Sequence, residues 1–257
     1  MNIQDSKPNP FGHNAWGYLH QKLVDKTIPR GRHLDYGAHD GRLIKTLYAE
    51  GLIDSAVGLE LSSSAILKSD ICEKNVQLVK IESRPKINQQ YGLFDSASII
   101  GVLEHVADQD YILKELHGCL KNGGKLLVAV PGKHLFSFLD MGNWKFVFPG
   151  LHKLFFERKM GVEAYRLAYL ENPDGLIGDV EKEKGWHQHF SKLQLRVLLE
   201  KNGFEFIDSG GAGFFMRILR NLRFFSPKFL KHYIDWLVEA DERIFSSAEI
   251  WILVRKV

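Results

Sequence analysis

The chain has 257 residues, enough for one α/β domain with a sizeable core and an insertion. Hydrophobic residues make up 45% and charged residues 25%, ordinary for a water-soluble globular protein, and a net charge of +3 is too small to imply a nucleic-acid partner. Two cysteines, Cys72 and Cys119, lie far apart in stretches that read as helices, give no basis for a disulfide framework or zinc cluster, and suit a reducing compartment. The polar start MNIQDSKPNP has no apolar core of a signal peptide, and no apolar run approaches the roughly 18 residues that cross a bilayer, so a cytoplasmic location is expected.

Residues 1–12 read as a tail, and 14–26 place Trp16, Leu19 and Leu23 at helical spacing. Strands are predicted near 33–36, 56–60, 77–82, 97–102 and 125–130. Between them lie helical patterns over 41–50, 62–74 (opened by a serine run suited to an N-cap) and 108–121, the last closed by Asn122-Gly123-Gly124 as a C-cap signal. The link 83–96 has too little pattern for a helix. After Pro131, residues 133–188 form a long aromatic-rich insertion, expected to act as a lid over the substrate. Ser191 and Gln194 then fit a capping box, and 204–208 and 249–255 read as two more strands. A helical segment near 215–245 joins them, a second insertion placed at 212–245. The expectation is one domain over 1–257: a Rossmann-like, seven-stranded, mostly parallel sheet with helices on both faces and a lid inserted after strand five.

The first strand–helix turn, 33-HLDYGAHDGRL-43, has glycines at 37 and 41 that let the backbone turn sharply near a ligand. Glu60, 19 residues beyond Gly41, ends the second strand, where a carboxylate can accept both hydroxyls of a ribose. A dinucleotide loop would carry a glycine where His39 stands, so a ribose ligand without a pyrophosphate fits better, which argues against an NAD-type oxidoreductase. S-adenosylmethionine is such a ligand, and its cationic sulfur suits the acidic Asp35 and Asp40.

LDYGAHDG, VGLELS (57–62), KIES (80–83), FDSASIIGVLEHVAD (94–108), LKNGGKLLVAVP (120–131) and HFSKLQLRVLLEKNGFE (189–205) occur in this order. Over 30–131 and 187–208 the chain resembles the class I S-adenosylmethionine-dependent methyltransferases of the bacterial small-molecule type, with His39 departing from the usual glycine. The resemblance implies a cofactor site of Asp35, Gly37, Ala38, Gly41, Glu60, Leu61, Glu82, Ser83, Gly101 and His105. Glu82 and Ser83 would lie at adenine, and Gly101 would leave space near the transferred methyl.

An alcohol or phenol needs help losing its proton, and histidine is the natural base. Among His134, His187 and His189, the pair in WHQHF is preferred. His187 and His189 also resemble metal ligands, but no third ligand stands at recognisable spacing, so no metal is expected. The expected function is O-methylation of a small-molecule, sugar or glycan, or lipid-linked acceptor. N- or C-methylation, or cofactor binding without catalysis, are the alternatives. Within 212–232, Arg217, Arg220, Arg223, Lys228 and Lys231 interleave with phenylalanines, a pattern that suits peripheral contact with an anionic membrane.

Overall fold

The strands at the centre of the sheet are buried on both sides, and this follows from their composition. In the computed structural model, which describes residues 9–81, 85–140, 143–170 and 187–257, β1 (Arg32–Tyr36), β2 (Ser55–Glu60) and β4 (Phe94–Ile100) each have four buried residues in a row. Such strands need helices on both faces. Side chains alternate between two apolar clusters, as the period of a strand dictates. Leu126, Val128 and Val130 of β5 (Leu120–Pro131) meet α5 (Gln109–Cys119) and α9 (Lys192–Lys201) through Leu113, Leu116, Leu195 and Leu199. Leu127 and Ala129 face α1 (Ala15–Val24) and α2 (Arg42–Ala49) through Leu19, Leu23, Ile44 and Leu47.

The strand order is β3-β2-β1-β4-β5-β7-β6, with β3 at Val76–Lys80, β6 at Phe204–Ala212 and β7 at Glu249–Lys256. The first five strands run parallel, and β7 is antiparallel to both β5 and β6. Strand order reverses beside β1, so the carboxyl ends of β1 and β4 frame the crevice where such sheets bind ligands.

Four local readings change. The helix expected over 62–74 is a single turn, α3 (Ser63–Ile66): Ser62 caps it through Ala65 N, but Leu67 points outward and no apolar face continues. Cys72 therefore sits exposed outside any helix, while Cys119 is buried at the end of α5. The unassigned link holds a short α4 (Ile87–Tyr91), pinned by Glu115, which accepts from Ile87 N at 3.0 Å. Asn122-Gly123-Gly124 does not cap α5; it lies within β5, where pairing to β4 jumps from Leu120 to Lys125.

The chain leaves β5 at Pro131 and returns at Phe190 beside it. Lys133 N donates to Phe190 O at 2.8 Å and Phe190 N to Pro131 O at 3.0 Å. Between these points lie α6 (Trp144–Val147), α7 (Pro149–Met160) and α8 (Val162–Tyr165). Their aromatic rings are largely spent on the second insertion, α10 (Met216–Phe225) and α11 (Lys228–Ile244): Phe155 lies 5.3 Å from Phe224 and 4.9 Å from Phe225 between ring centres. The basic face read on α10 is also largely satisfied from within. Arg217 meets Asp140, Arg220 meets Glu242 and Arg223 meets Asp235.

A polar seam crosses the buried sheet. Ser98 Oγ donates to Asp35 Oδ1 at 2.7 Å, so it must accept from His33 Nε2 at 2.9 Å, which leaves His33 Nδ1 to accept from Ser96 Oγ at 2.8 Å. Burial keeps His33 neutral, its pKa lowered to about 4. Burial also raises Asp35 to about 6, against the opposing Ser98 bond and with a contribution from the Glu60 charge. A carboxyl whose folded pKa lies above its unfolded value of 3.8 weakens the fold progressively as pH rises through that interval. Asp35→Asn is expected to raise stability by about 1–2 kcal/mol near neutral pH and by nothing below about pH 4, read by urea unfolding at the two pH values.

Candidate active site

The loop after β1 is set by backbone geometry. Gly37 N and Ala38 N both donate to Leu59 O, at 2.7 and 3.1 Å, which folds the loop over the end of β2. Gly37 has φ +84°, and a Cβ there would stand 2.1 Å from Val102 Cγ2. Gly41 has φ +78° and opens α2; its own Cβ would stand 2.3 Å from Ile71 Cδ1. His39 adopts φ +51°, the left-handed region that glycine usually fills and that histidine enters more readily than most residues. Its side chain is 65% exposed, so the ring leaves the crevice and the loop keeps its shape without a middle glycine.

Glu60 uses both carboxylate oxygens here. His39 N donates to Oε2 at 2.7 Å and Ser62 N to Oε1 at 2.8 Å, so the side chain is fixed at the crevice mouth beside Leu61. Asp35 is buried below the loop and turned to Ser98. Gly101, at the end of β4, has φ +69°, and a Cβ there would meet only Glu104 Oε1, at 3.8 Å, so this side of the crevice is open. The structure thus gathers Asp35, Gly37, Ala38, Gly41, Glu60, Leu61 and Gly101 at one end of the sheet. Glu82 and Ser83 lie outside the described residues; Ile81 N donates to Glu60 O, which brings the chain just before them beside Glu60. An adenosine ligand fits this set: a fixed carboxylate for the ribose and a glycine-lined turn above it.

Next to this crevice is a cavity of about 480 Å³, walled by Trp16, Arg42, Gly101, Glu104, Asp140, His187, Arg217 and Glu249 among others. Its polar corner assembles residues from four separate segments. Asp140 Oδ2 lies 2.6 Å from His187 Nδ1, 2.8 Å from His189 Nε2 and 3.0 Å from an Arg217 guanidinium nitrogen. Burial would raise the Asp140 carboxyl, but the bonds from His187 and His189 and the Arg217 charge hold it far below the ordinary carboxylate range. It is therefore an acceptor only, so His187 Nδ1 and His189 Nε2 each carry the proton they share with it.

The other ring nitrogen of His187 points to His105. The two Nε2 atoms are 3.0 Å apart, and the rings lie 4.4 Å centre to centre. His105, implied by resemblance to serve the cofactor, is placed against His187, which lines the cavity. Glu104, 2% exposed, is pushed up to about 7 by burial, opposed by the His187 charge. Glu249 in the same wall is raised to about 7, again by burial first. His134 instead bonds the Gly132 carbonyl through Nδ1 and packs against Phe214. Asp140 and Arg217 gave no sequence signal as site residues: one is a lone acid among aromatics, the other a member of a presumed surface stripe.

His39 and the loop glycines make opposite predictions. His39→Gly removes an exposed side chain from a left-handed position and should leave unfolding free energy within about 1 kcal/mol. Gly37→Ala adds a Cβ into Val102 at a positive φ and should cost at least about 2 kcal/mol. Chemical denaturation of both variants checks the pair.

A family model described as a methyltransferase domain matches residues 11–209. A comparison with curated proteins gave no match. Among solved structures, the S-adenosylmethionine-dependent methyltransferase of Mesorhizobium loti superposes with a TM-score of 0.53 at 14% identity, over 94% of this chain and 98% of that one. The [4+2]-cyclase SpnF gives 0.56 at 17% identity, over 93% and 80%. The phosphoethanolamine N-methyltransferase 2 of Haemonchus contortus, in complex with phosphomonomethylethanolamine and S-adenosylhomocysteine, gives 0.53 at 15%, over 93% and 52%. These likenesses establish the fold, and the family match over most of the length establishes the class: the chain belongs to the class I S-adenosylmethionine-dependent methyltransferases, enzymes whose cofactor is S-adenosylmethionine.

Proposed function

We propose that this enzyme methylates an oxygen of a small acceptor, a phenol, an alcohol or a sugar hydroxyl, free or carried on a lipid. The observation that supports oxygen is His187. Its Nδ1 is committed to ionised Asp140, so its Nε2 keeps a lone pair, which meets His105 Nε2 at the cavity corner beside Glu104 and near the open side of Gly101. An amine nucleophile would not need such a corner.

S-adenosylmethionine, when bound, supplies an electrophilic methyl group for an in-line displacement at carbon. The chain's own part is alignment and proton handling. Glu60, fixed by His39 N and Ser62 N, would accept from the ribose hydroxyls. Gly37, Ala38 and Gly41 bring the backbone close, with Asp35 beneath and Gly101 leaving room where the acceptor approaches. His187 prepares the hydroxyl, and His189 helps hold Asp140, and through it His187, in place. Glu82 and Ser83 are proposed at adenine.

The insertion 133–188 is proposed as the acceptor's lid, since Asp140, Leu139 and His187 line the cavity. Peripheral membrane contact through 212–232 is proposed on different grounds from those of the sequence, because the three arginines are paired with acidic residues of the chain itself. Its support is exposed Phe225 and Phe229, next to Lys228 and Lys231, with Tyr233 and Trp236 following on α11. No helix among the described residues is long and apolar enough to cross a membrane.

Two measurements test the reading. Calorimetry with S-adenosylhomocysteine should show binding that Glu60→Ala weakens by about 10-fold or more, a loss of at least about 1.4 kcal/mol. In an acceptor screen that reads S-adenosylhomocysteine release, hydroxyl acceptors should turn over, and His187→Ala should lower kcat by about 10²–10⁴-fold with cofactor affinity kept. Turnover of amines alone, or hydroxyl turnover indifferent to His187, would remove the oxygen assignment.

A further inference from the structure

The geometry points to a divalent transition-metal site formed by Glu104, His105 and His187 at the corner of the acceptor cavity. Its existence stands apart from the oxygen-transfer reading; its role rests on that reading.

The argument starts from separations. Ions of this class hold nitrogen and oxygen ligands at about 2.1 Å, so two ligands of one ion stand between about 3.0 Å, at right angles, and about 4.2 Å, opposite. The His105 and His187 Nε2 atoms are 3.0 Å apart, and Glu104 Oε1 lies 3.9 Å from His187 Nε2 and 4.0 Å from His105 Nε2. All three atoms fit one ion. The imidazole contact taken alone is also a hydrogen bond, so the carboxylate decides. Its Oε1 is too far from either ring nitrogen for a hydrogen bond, and Oε2 has no partner among the described residues, although Glu104 is only 2% exposed. A buried carboxylate oxygen left without a donor is costly, and a cation within reach removes that cost.

Orientation gives the second, independent support. A ligating histidine ordinarily donates its far ring N–H to a carboxylate, which fixes the tautomer and turns the lone pair to the metal. His187 does so to Asp140 at 2.6 Å. Asp140 itself is not a ligand. Its contacts of 2.6 and 2.8 Å to His187 and His189 are hydrogen-bond lengths, shorter than two ligands of one ion can approach. Asp140 is thus an orienting residue, held in turn by Arg217.

Two imidazoles and one carboxylate suit zinc and its first-row neighbours better than magnesium or calcium, which prefer oxygen. Glu104 and His187 both line the cavity, so the ion's remaining positions face the acceptor. There it would draw electrons from the acceptor hydroxyl and lower its pKa. With the ion in place, His187 would act on the hydroxyl through the ion and not as its base: the hydroxyl proton leaves to solvent, the oxygen–carbon bond forms as the carbon–sulfur bond breaks, and S-adenosylhomocysteine is released. The sequence offered His187 no co-ligands because they come from the loop after β4, with His105 82 residues before it, while His189 of the same HxH pair turns to Asp140 instead.

The test uses the full chain, stripped of metal with a chelator and titrated with Co²⁺ by visible absorption and with Zn²⁺ by calorimetry. One equivalent should bind, unchanged in Glu60→Ala, and affinity should fall by about 10-fold or more in Glu104→Gln and in His187→Ala. Retained S-adenosylhomocysteine binding shows that Glu104→Gln and His187→Ala are folded, and urea unfolding shows the same for Glu60→Ala. The proposal is overturned if the intact protein takes up no saturable Co²⁺, or if uptake is undiminished in folded Glu104→Gln. Co²⁺ bound as expected, with chelated protein methylating as fast as loaded protein, would uphold the site and sink its role in transfer.

Discussion

Asp140 Oδ2 is where three parts of the chain are tied together. One oxygen receives His187 and His189 from the segment leading into α9 and Arg217 from the first turn of α10, while Asp140 itself belongs to the insertion after β5. A buried carboxylate is expensive unless its charge and its lone pairs are matched, and here they are. The converse also holds. Without Asp140, a guanidinium that is only 12% exposed would lose its counter-charge, and both histidines would lose the acceptor that sets their tautomers. The polar corner of the cavity is therefore held by charge matching at one residue.

The cofactor half is built in another way. Its determinants are backbone amides, positive φ angles and one carboxylate, all at the carboxyl ends of β1, β2 and β4. That difference governs what was legible in the sequence. Gly37, Gly41 and Glu60 stand at fixed offsets within a single strand–helix–strand unit, so their places at the end of the sheet follow from spacing. The buried strands were legible too, because runs such as KLLVAV can satisfy a two-sided sheet and little else. Where α3 was overextended, a serine cap was real but no apolar face followed it. Where α5 was overextended, two glycines that serve an irregular stretch of β5 imitated a helix end.

The corner around Asp140 has no such local grammar. Glu104 and His105 are 36 and 35 positions before Asp140, and His187 is 47 beyond it. Only the return of the chain beside β5 brings them together. Residue type alone marked the histidines as interesting, but it could not say that His187 would be oriented by Asp140 and face His105, or that Arg217 would turn inward from an apparent surface stripe.

That return has its own consequence. Phe190 is joined to Pro131 and to Lys133 by one backbone hydrogen bond each, and Gly132 sits so close to Ser247 O that a Cβ would stand 2.0 Å away. The two ends of the insertion are thus clasped at the sheet, independent of what lies between them. Closing a loop whose ends are already held costs little more as the loop lengthens. The sheet can therefore carry one insertion or another at this clasp without altering its own strands. The insertion becomes an exchangeable cassette, and the sheet stays a constant scaffold beneath it.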